Sequence, residues 1–91
     1  MNYKLEYHRD VVKFFKKHKE KKLLLSFKNA TDEIKKNPRQ CENCDVKKMQ
    51  GMENDYRLRI GKYRFLYQVI DEKILVFFYS ANSRGAIYKN R

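Results

Sequence analysis

Three arginines fall within eight residues of one another, Arg57, Arg59 and Arg64, and their spacing is that of one sheet face. In Tyr56-Arg57-Leu58-Arg59-Ile60 the apolar and basic residues alternate strictly, so Tyr56, Leu58 and Ile60 point one way and the arginines the other. If Gly61-Lys62 is a two-residue hairpin loop, Ile60 sits opposite Tyr63, Arg59 opposite Arg64, and Leu58 opposite Phe65. Like charges directly opposite each other destabilise a sheet by up to about 1 kcal/mol. A chain that gathers them on one face therefore has a use for the charge. Arginine supplies no nucleophile, but RNA carries its own. A 2′-hydroxyl aligned in line with the neighbouring phosphate can attack it, and fixed positive charge stabilises the dianionic transition state. Proton transfer is the hard part, since free Tyr titrates near ~10 and Arg above ~12. A tyrosine set among arginines would have its pKa lowered.

The composition fits such a substrate. The chain has 91 residues, 22 Lys+Arg against 11 Asp+Glu, and a net charge of +11. That suits a polyanionic partner, and the excess is spread over both halves, so the fold has to create any patch. Hydrophobic residues make up 42%, which places the chain among globular domains, with room for a single domain over residues 1–91. No apolar run is long enough to span a bilayer and no signal-peptide pattern opens the chain, so a cytoplasmic protein is expected, with no membrane partner.

Other chemistries lack their residues. The carboxylates of the second half after Val46 are Glu53, Asp55, Asp71 and Glu72, and the last two read as a turn, so a two-metal site is not expected and no metal or cofactor is called for. No histidine follows His18, and no Ser/His/Asp or Cys/His arrangement or glycine-rich phosphate loop is present. Cys41 and Cys44 form a CxxC after Pro38. With both histidines far back in the chain, a zinc site would need ligands from elsewhere, so the pair reads as plain loop cysteines or an incidental disulfide.

The rest of the chain must position the arginines. Asn2–Tyr7 alternates weakly and reads as a short strand. A helix opens at Asp10 or Arg9, with Val11, Phe14, Phe15 and His18 at helical spacing. A second begins at Glu20 and carries Leu23, Phe27, Ala30 and Ile34 until Pro38 stops it. A change of phase near His18–Glu20 divides the two, which could also be one bent helix. Val46–Met49 is a short strand or a turn. The second turn of the meander is Asp71-Glu72 or Glu72-Lys73. In either case Arg64 lies opposite Tyr79 or Ala81, with Leu75, Phe77 and Tyr79 on the arginine face and Ile74, Val76 and Phe78 on the helix-packed face. The expected fold is α+β: a βαα unit followed by an antiparallel three-stranded meander, helices on one face and the other open. Phe77 and Tyr79 are then the candidates for stacking on bases, and Lys47 and Lys48 for general RNA attraction.

Lys48-Met49-Gln50-Gly51-Met52, Tyr56-Arg57-Leu58-Arg59, Tyr63 through Lys73, Ser83-Arg84 and Ile87-Tyr88 resemble the RelE family of toxins, within the RelE/ParE superfamily. The resemblance implies a metal-independent, ribosome-dependent mRNA endonuclease that cuts A-site codons by 2′-hydroxyl attack and is neutralised by a cognate RelB-type antitoxin. It implies catalytic roles for Arg57, Arg59, Arg64, Arg84 and Tyr88: the first two at basic positions of the first long strand, Arg64 and Arg84 on phosphate, and Tyr88 as base or as a platform orienting the RNA. Some relatives carry lysine where this chain has Arg57 and Arg59, and arginine surrenders its proton far less readily. The acid–base Glu/His pair of one branch is not visible. Two other function classes fit the same residues: a ParE-like gyrase inhibitor, and a basic RNA- or protein-binding module without chemistry.

Overall fold

A computed structural model describes residues 2–83. The order is β1 (Lys4–Tyr7), α1 (Arg9–Lys17), α2 (Lys21–Ile34), β2 (Asp45–Lys48), β3 (Asp55–Ile60), β4 (Tyr63–Ile70), a 3-10 turn (Asp71–Lys73) and β5 (Leu75–Ser83). The expected α+β arrangement is present, and the sheet is wider than the three-stranded meander. It has five strands in the order β1-β5-β4-β3-β2. Residues 45–48 are a true edge strand, antiparallel to β3. The N-terminal strand closes the other edge, parallel to β5.

The helices form where the apolar periodicity puts them. His8 caps α1, its Nδ1 accepting from the Asp10 backbone N–H at 3.0 Å. The phase change is a real break, with Glu20 as the N-cap residue of α2. The Glu20 carboxylate also accepts from the Tyr63 hydroxyl at 2.7 Å, which pins the start of α2 to the sheet. Leu23, Phe27, Ala30 and Ile34 are all buried.

Both helices cover the same sheet face, and the interior there is largely aromatic. Phe65, fully buried, meets Phe14, Phe15 and Phe27 at centroid distances of 5.5, 5.6 and 4.8 Å. Phe27 continues to Phe78 at 5.3 Å, and Phe78 to Tyr67 at 4.9 Å. Tyr67 is buried to its hydroxyl, which donates to the Pro38 carbonyl at 2.7 Å and so satisfies both groups. Beyond α2 the loop is tied down twice more. Arg39 and Tyr3 both donate to the Asp71 carboxylate, holding it below the usual carboxylate range chiefly through the Arg39 hydrogen bond. Cys41 and Cys44 are joined by a disulfide and pack against the core edge.

The first hairpin has the expected register: Ile60 pairs with Tyr63, Arg59 with Arg64 and Leu58 with Phe65. Gly61, at φ 58°, occupies the first loop position, where type II′ turns take glycine. The second hairpin departs from expectation in two places. Its loop is four residues long, Ile70 pairing with Leu75, so Ile74 is a turn residue with φ 49° and is exposed, not a member of the helix-packed face. Further along, the pairing shifts between Leu66 and Tyr67, with Tyr67 opposite Phe78 and Leu66 opposite Ser80. Tyr79 is the extra residue of a β-bulge. It moves the partner of Arg64 from the expected Tyr79 or Ala81 to Asn82, and Ala81 packs at the core edge.

Candidate functional site

The open face of the sheet is built from alternate residues of four strands. β2 contributes Asp45 and Lys47, β3 contributes Asp55, Arg57 and Arg59, β4 contributes Arg64, Leu66 and Gln68, and β5 contributes Phe77, Tyr79 and Asn82. The alternation that sends Tyr56, Leu58, Tyr63, Phe65 and Tyr67 into the core places these residues on the opposite side of the sheet.

Lys47, Lys48, Arg57 and Arg64 line one cleft of about 330 Å³ together with Leu66, Met49 and Gln50. The fold therefore brings four of the expected basic residues together from three strands. Lys48 pairs with Tyr56 and alternates away from Lys47, reaching the cleft from the strand end. Arg59 lines a separate recess with Asp45, Cys44 and Asn43.

Two carboxylates on this face give it an organisation that the pattern of arginines does not convey. Asp45 pairs in register with Arg59. Its Oδ1 accepts from Arg57 Nη2 and its Oδ2 from Arg59 Nε, each at 2.8 Å. Arg57 Nε is buried without a hydrogen-bond partner among the described residues. Asp55 is almost fully buried and accepts from the Tyr79 hydroxyl at 2.6 Å, with Met49 Sδ 3.8 Å from the same hydroxyl. Reading 45–48 as a full strand would have placed Asp45 across from Arg59. The bulge leaves Tyr79 without a partner in the β4 register, and its hydroxyl meets Asp55.

Tyr79 behaves opposite to a tyrosine among arginines. Burial, then its hydrogen bond to Asp55, pushes its pKa up to about 12. At neutral pH it is protonated, with its hydroxyl hydrogen donated to Asp55. Tyr67 is raised too, mainly by burial. Both folded-state values lie above the ordinary ~10, so their contribution to stability is complete below that pH and is lost as pH rises through the folded values. The urea midpoint should therefore decline above pH ~10, and Tyr79→Phe should flatten that decline. An unchanged alkaline slope in the variant would remove Tyr79 as a source.

Phe77 lies on the arginine face and is not among the residues that line the cleft. It is five residues along β5 from Asn82, the partner of Arg64, or roughly 16 Å of strand, and its ring rests against His8 at 6.4 Å. Arg84 and Tyr88 lie outside the described residues. Among the described residues, no three His, Cys, Asp or Glu side chains cluster as metal ligands, and no helix is long and apolar enough to cross a membrane.

Known proteins share this architecture and sequence. Residues 5–80 match the family model described as ParE toxin of type II toxin-antitoxin system, parDE. A relative from Methanocaldococcus jannaschii named as toxin RelE1 is 35% identical over 91 residues, 99% of each chain. The mRNA interferase toxin RelE of Escherichia coli is 45% identical over 42 residues, 44% of each chain. Among solved structures, the archaeal RelE–RelB complex from Pyrococcus horikoshii OT3 superposes with a TM-score of 0.79 at 29% identity, over 93% of this chain and 98% of that one. The intact Escherichia coli RelBE toxin–antitoxin complex gives 0.74 at 30% identity, over 89% and 95%. With a family model spanning most of its length and a full-length relative above 30% identity, the chain belongs to the RelE/ParE family of toxins of type II toxin–antitoxin systems.

Proposed function

We propose that the protein is a metal-independent endoribonuclease that cleaves mRNA in the A site of the ribosome and is neutralised by a RelB-type antitoxin. The observation that carries this reading is the cleft shared by Arg57, Arg64, Lys47 and Lys48 on an otherwise open sheet face. In the reaction the RNA 2′-oxygen bonds to the adjacent phosphorus and the bond from phosphorus to the 5′-oxygen breaks. A 2′,3′-cyclic phosphate and a 5′-hydroxyl remain. The proton lost from the 2′-hydroxyl is balanced by one taken up at the 5′-oxygen. The arginines serve the charge that accumulates on the phosphate oxygens. Tyr79 is held protonated by burial and then by its hydrogen bond to Asp55, and in this reading the proton transfer is given to Tyr88, as the family resemblance implies. Placing the RNA in line is left to the ribosome, which accounts for a protein face that is open and not enclosed.

The test is RNA cleavage mapped by primer extension, in EDTA, on naked mRNA and on programmed ribosomes. Cuts within A-site codons only when ribosomes are present are expected. Absence of cutting in both settings, from folded protein, would exclude a nuclease. The matching family model carries a ParE description, so inhibition of DNA gyrase is the second reading, and a supercoiling assay on the same preparation decides it. A binding module without chemistry would leave both assays silent while retaining RNA or antitoxin binding. The net charge of +11 also leads us to expect salt-sensitive association with an acidic antitoxin segment.

A further inference from the structure

Asp45 is the one carboxylate that engages both arginines of β3 among the described residues. Arg57 and Arg59 are two residues apart on the same face, and each gives one N–H to a different oxygen of the same carboxylate. The three side chains are partly shielded, Arg57 at 19% exposure, Asp45 at 39% and Arg59 at 43%. The backbone of Asp45 is itself held, as the first residue of β2 paired to Arg59 and the immediate neighbour of the disulfide-bonded Cys44. Two oxygens that bridge two guanidinium groups are what a phosphate would also offer.

We propose that Asp45 is the positioning residue of the arginine face: a resident anion that fixes Arg57 and Arg59 and lowers the face's general attraction for RNA. Its two effects have opposite signs. Holding the guanidinium groups in one geometry favours the transition state, which is sensitive to placement. Occupying two of their N–H groups and cancelling one charge weakens binding to any phosphate that arrives without the right geometry. The device exchanges affinity for orientation. Its catalytic half rests on the nuclease reading, and its binding half does not.

The experiment compares the wild-type protein with Asp45→Asn and Asp45→Glu. Asparagine is isosteric, removes the charge, and keeps only one acceptor for two donors. Binding to a single-stranded RNA oligonucleotide without ribosomes is measured over a range of salt, alongside single-turnover cleavage on programmed ribosomes. Asp45→Asn should bind the oligonucleotide on the order of fivefold tighter at low salt, with a slope of log K against log salt steeper by about 0.7 for each additional phosphate that the freed arginines neutralise. Its cleavage rate at saturation should fall by about tenfold to a hundredfold, the scale on which small misplacements act. Asp45→Glu keeps the charge and should return the salt slope to the wild-type value. An Asp45→Asn protein that binds more weakly at an unchanged slope, or an Asp45→Glu protein that matches the asparagine slope, would overturn the proposal. If the wild-type protein does not cut, the nuclease reading fails by itself, and the oligonucleotide slopes still decide the role of Asp45. Should Asp45→Asn prove unfolded by circular dichroism, Asp45→Ser decides instead, since it also removes the charge while staying polar: a salt slope steeper than wild type supports the resident-anion role, and a wild-type slope overturns it.

Discussion

Replacing Arg64 with alanine is expected to reduce cleavage on the ribosome by about 10²–10³-fold, the range found when one donor to a developing oxyanion is removed. Arg64 stands between Arg59 on β3 and Asn82 on β5 and lines the cleft with Arg57 and Lys47. The side chain points out of the sheet, and the core beneath it belongs to Tyr63 and Phe65. The fold should survive the change, and the thermal midpoint should move little. Binding to ribosomes, which draws on the whole basic surface, should weaken far less than the chemical step. Arg64→Lys should recover only part of the rate, because an ammonium keeps the charge and loses the planar fork. Single-turnover rates at saturating toxin separate the two effects. A variant that cuts at nearly the wild-type rate would remove Arg64 from the chemistry.

The largest effect on stability is expected at Phe65. Its ring is fully buried, touches three phenylalanines from both helices, and stands opposite Leu58, also fully buried. Truncation to alanine leaves a cavity that the aromatic neighbours cannot fill without giving up their own contacts, at a cost of about 3–5 kcal/mol. Against a total of ~5–15 kcal/mol for a domain, that is enough to leave a large unfolded fraction at physiological temperature in the lower part of the range. Tyr67→Phe is the milder comparison. It keeps the packing and removes only the hydroxyl that satisfies the Pro38 carbonyl, a loss of about 1–3 kcal/mol. Urea unfolding of both variants measures the difference. A Phe65→Ala protein as stable as Tyr67→Phe would mean that the aromatic cluster collapses onto the vacancy.

The arginine face was readable from the sequence because period-two alternation leaves little freedom. Once Gly61-Lys62 is a two-residue loop, the positions of Arg57, Arg59 and Arg64 and the burial of Tyr63, Phe65 and Tyr67 all follow. The helices were readable for the same kind of reason, a stripe from Leu23 to Ile34 ended by Pro38. What escaped was set by long-range geometry. The bulge at Tyr79 has no local marker such as glycine, and it moves the partner of Arg64 by one residue. The left-handed conformation of Ile74 is imposed by the four-residue turn on a β-branched side chain that seldom adopts it. Asp45 and Asp55 find their partners 12 to 24 residues away in sequence. Placing them requires strand order, which composition does not carry.

The parallel pairing of β1 with β5 has a consequence for the order of synthesis. Lys4 pairs with Leu75 and Tyr7 with Phe78, so the first strand made waits for the last one described. β5 lies between β1 and β4 and supplies Val76 and Phe78 to the core. Until β5 has left the ribosome, Phe27 and Tyr67 lack the ring that joins them, and closure then depends on contacts across nearly the whole described length, the class that forms slowly. A nascent chain therefore carries its arginines for some time before it has a rigid face to mount them on. For a protein whose proposed target is the machine that is making it, that delay separates manufacture from attack, and it gives a partner in the same compartment time to arrive first.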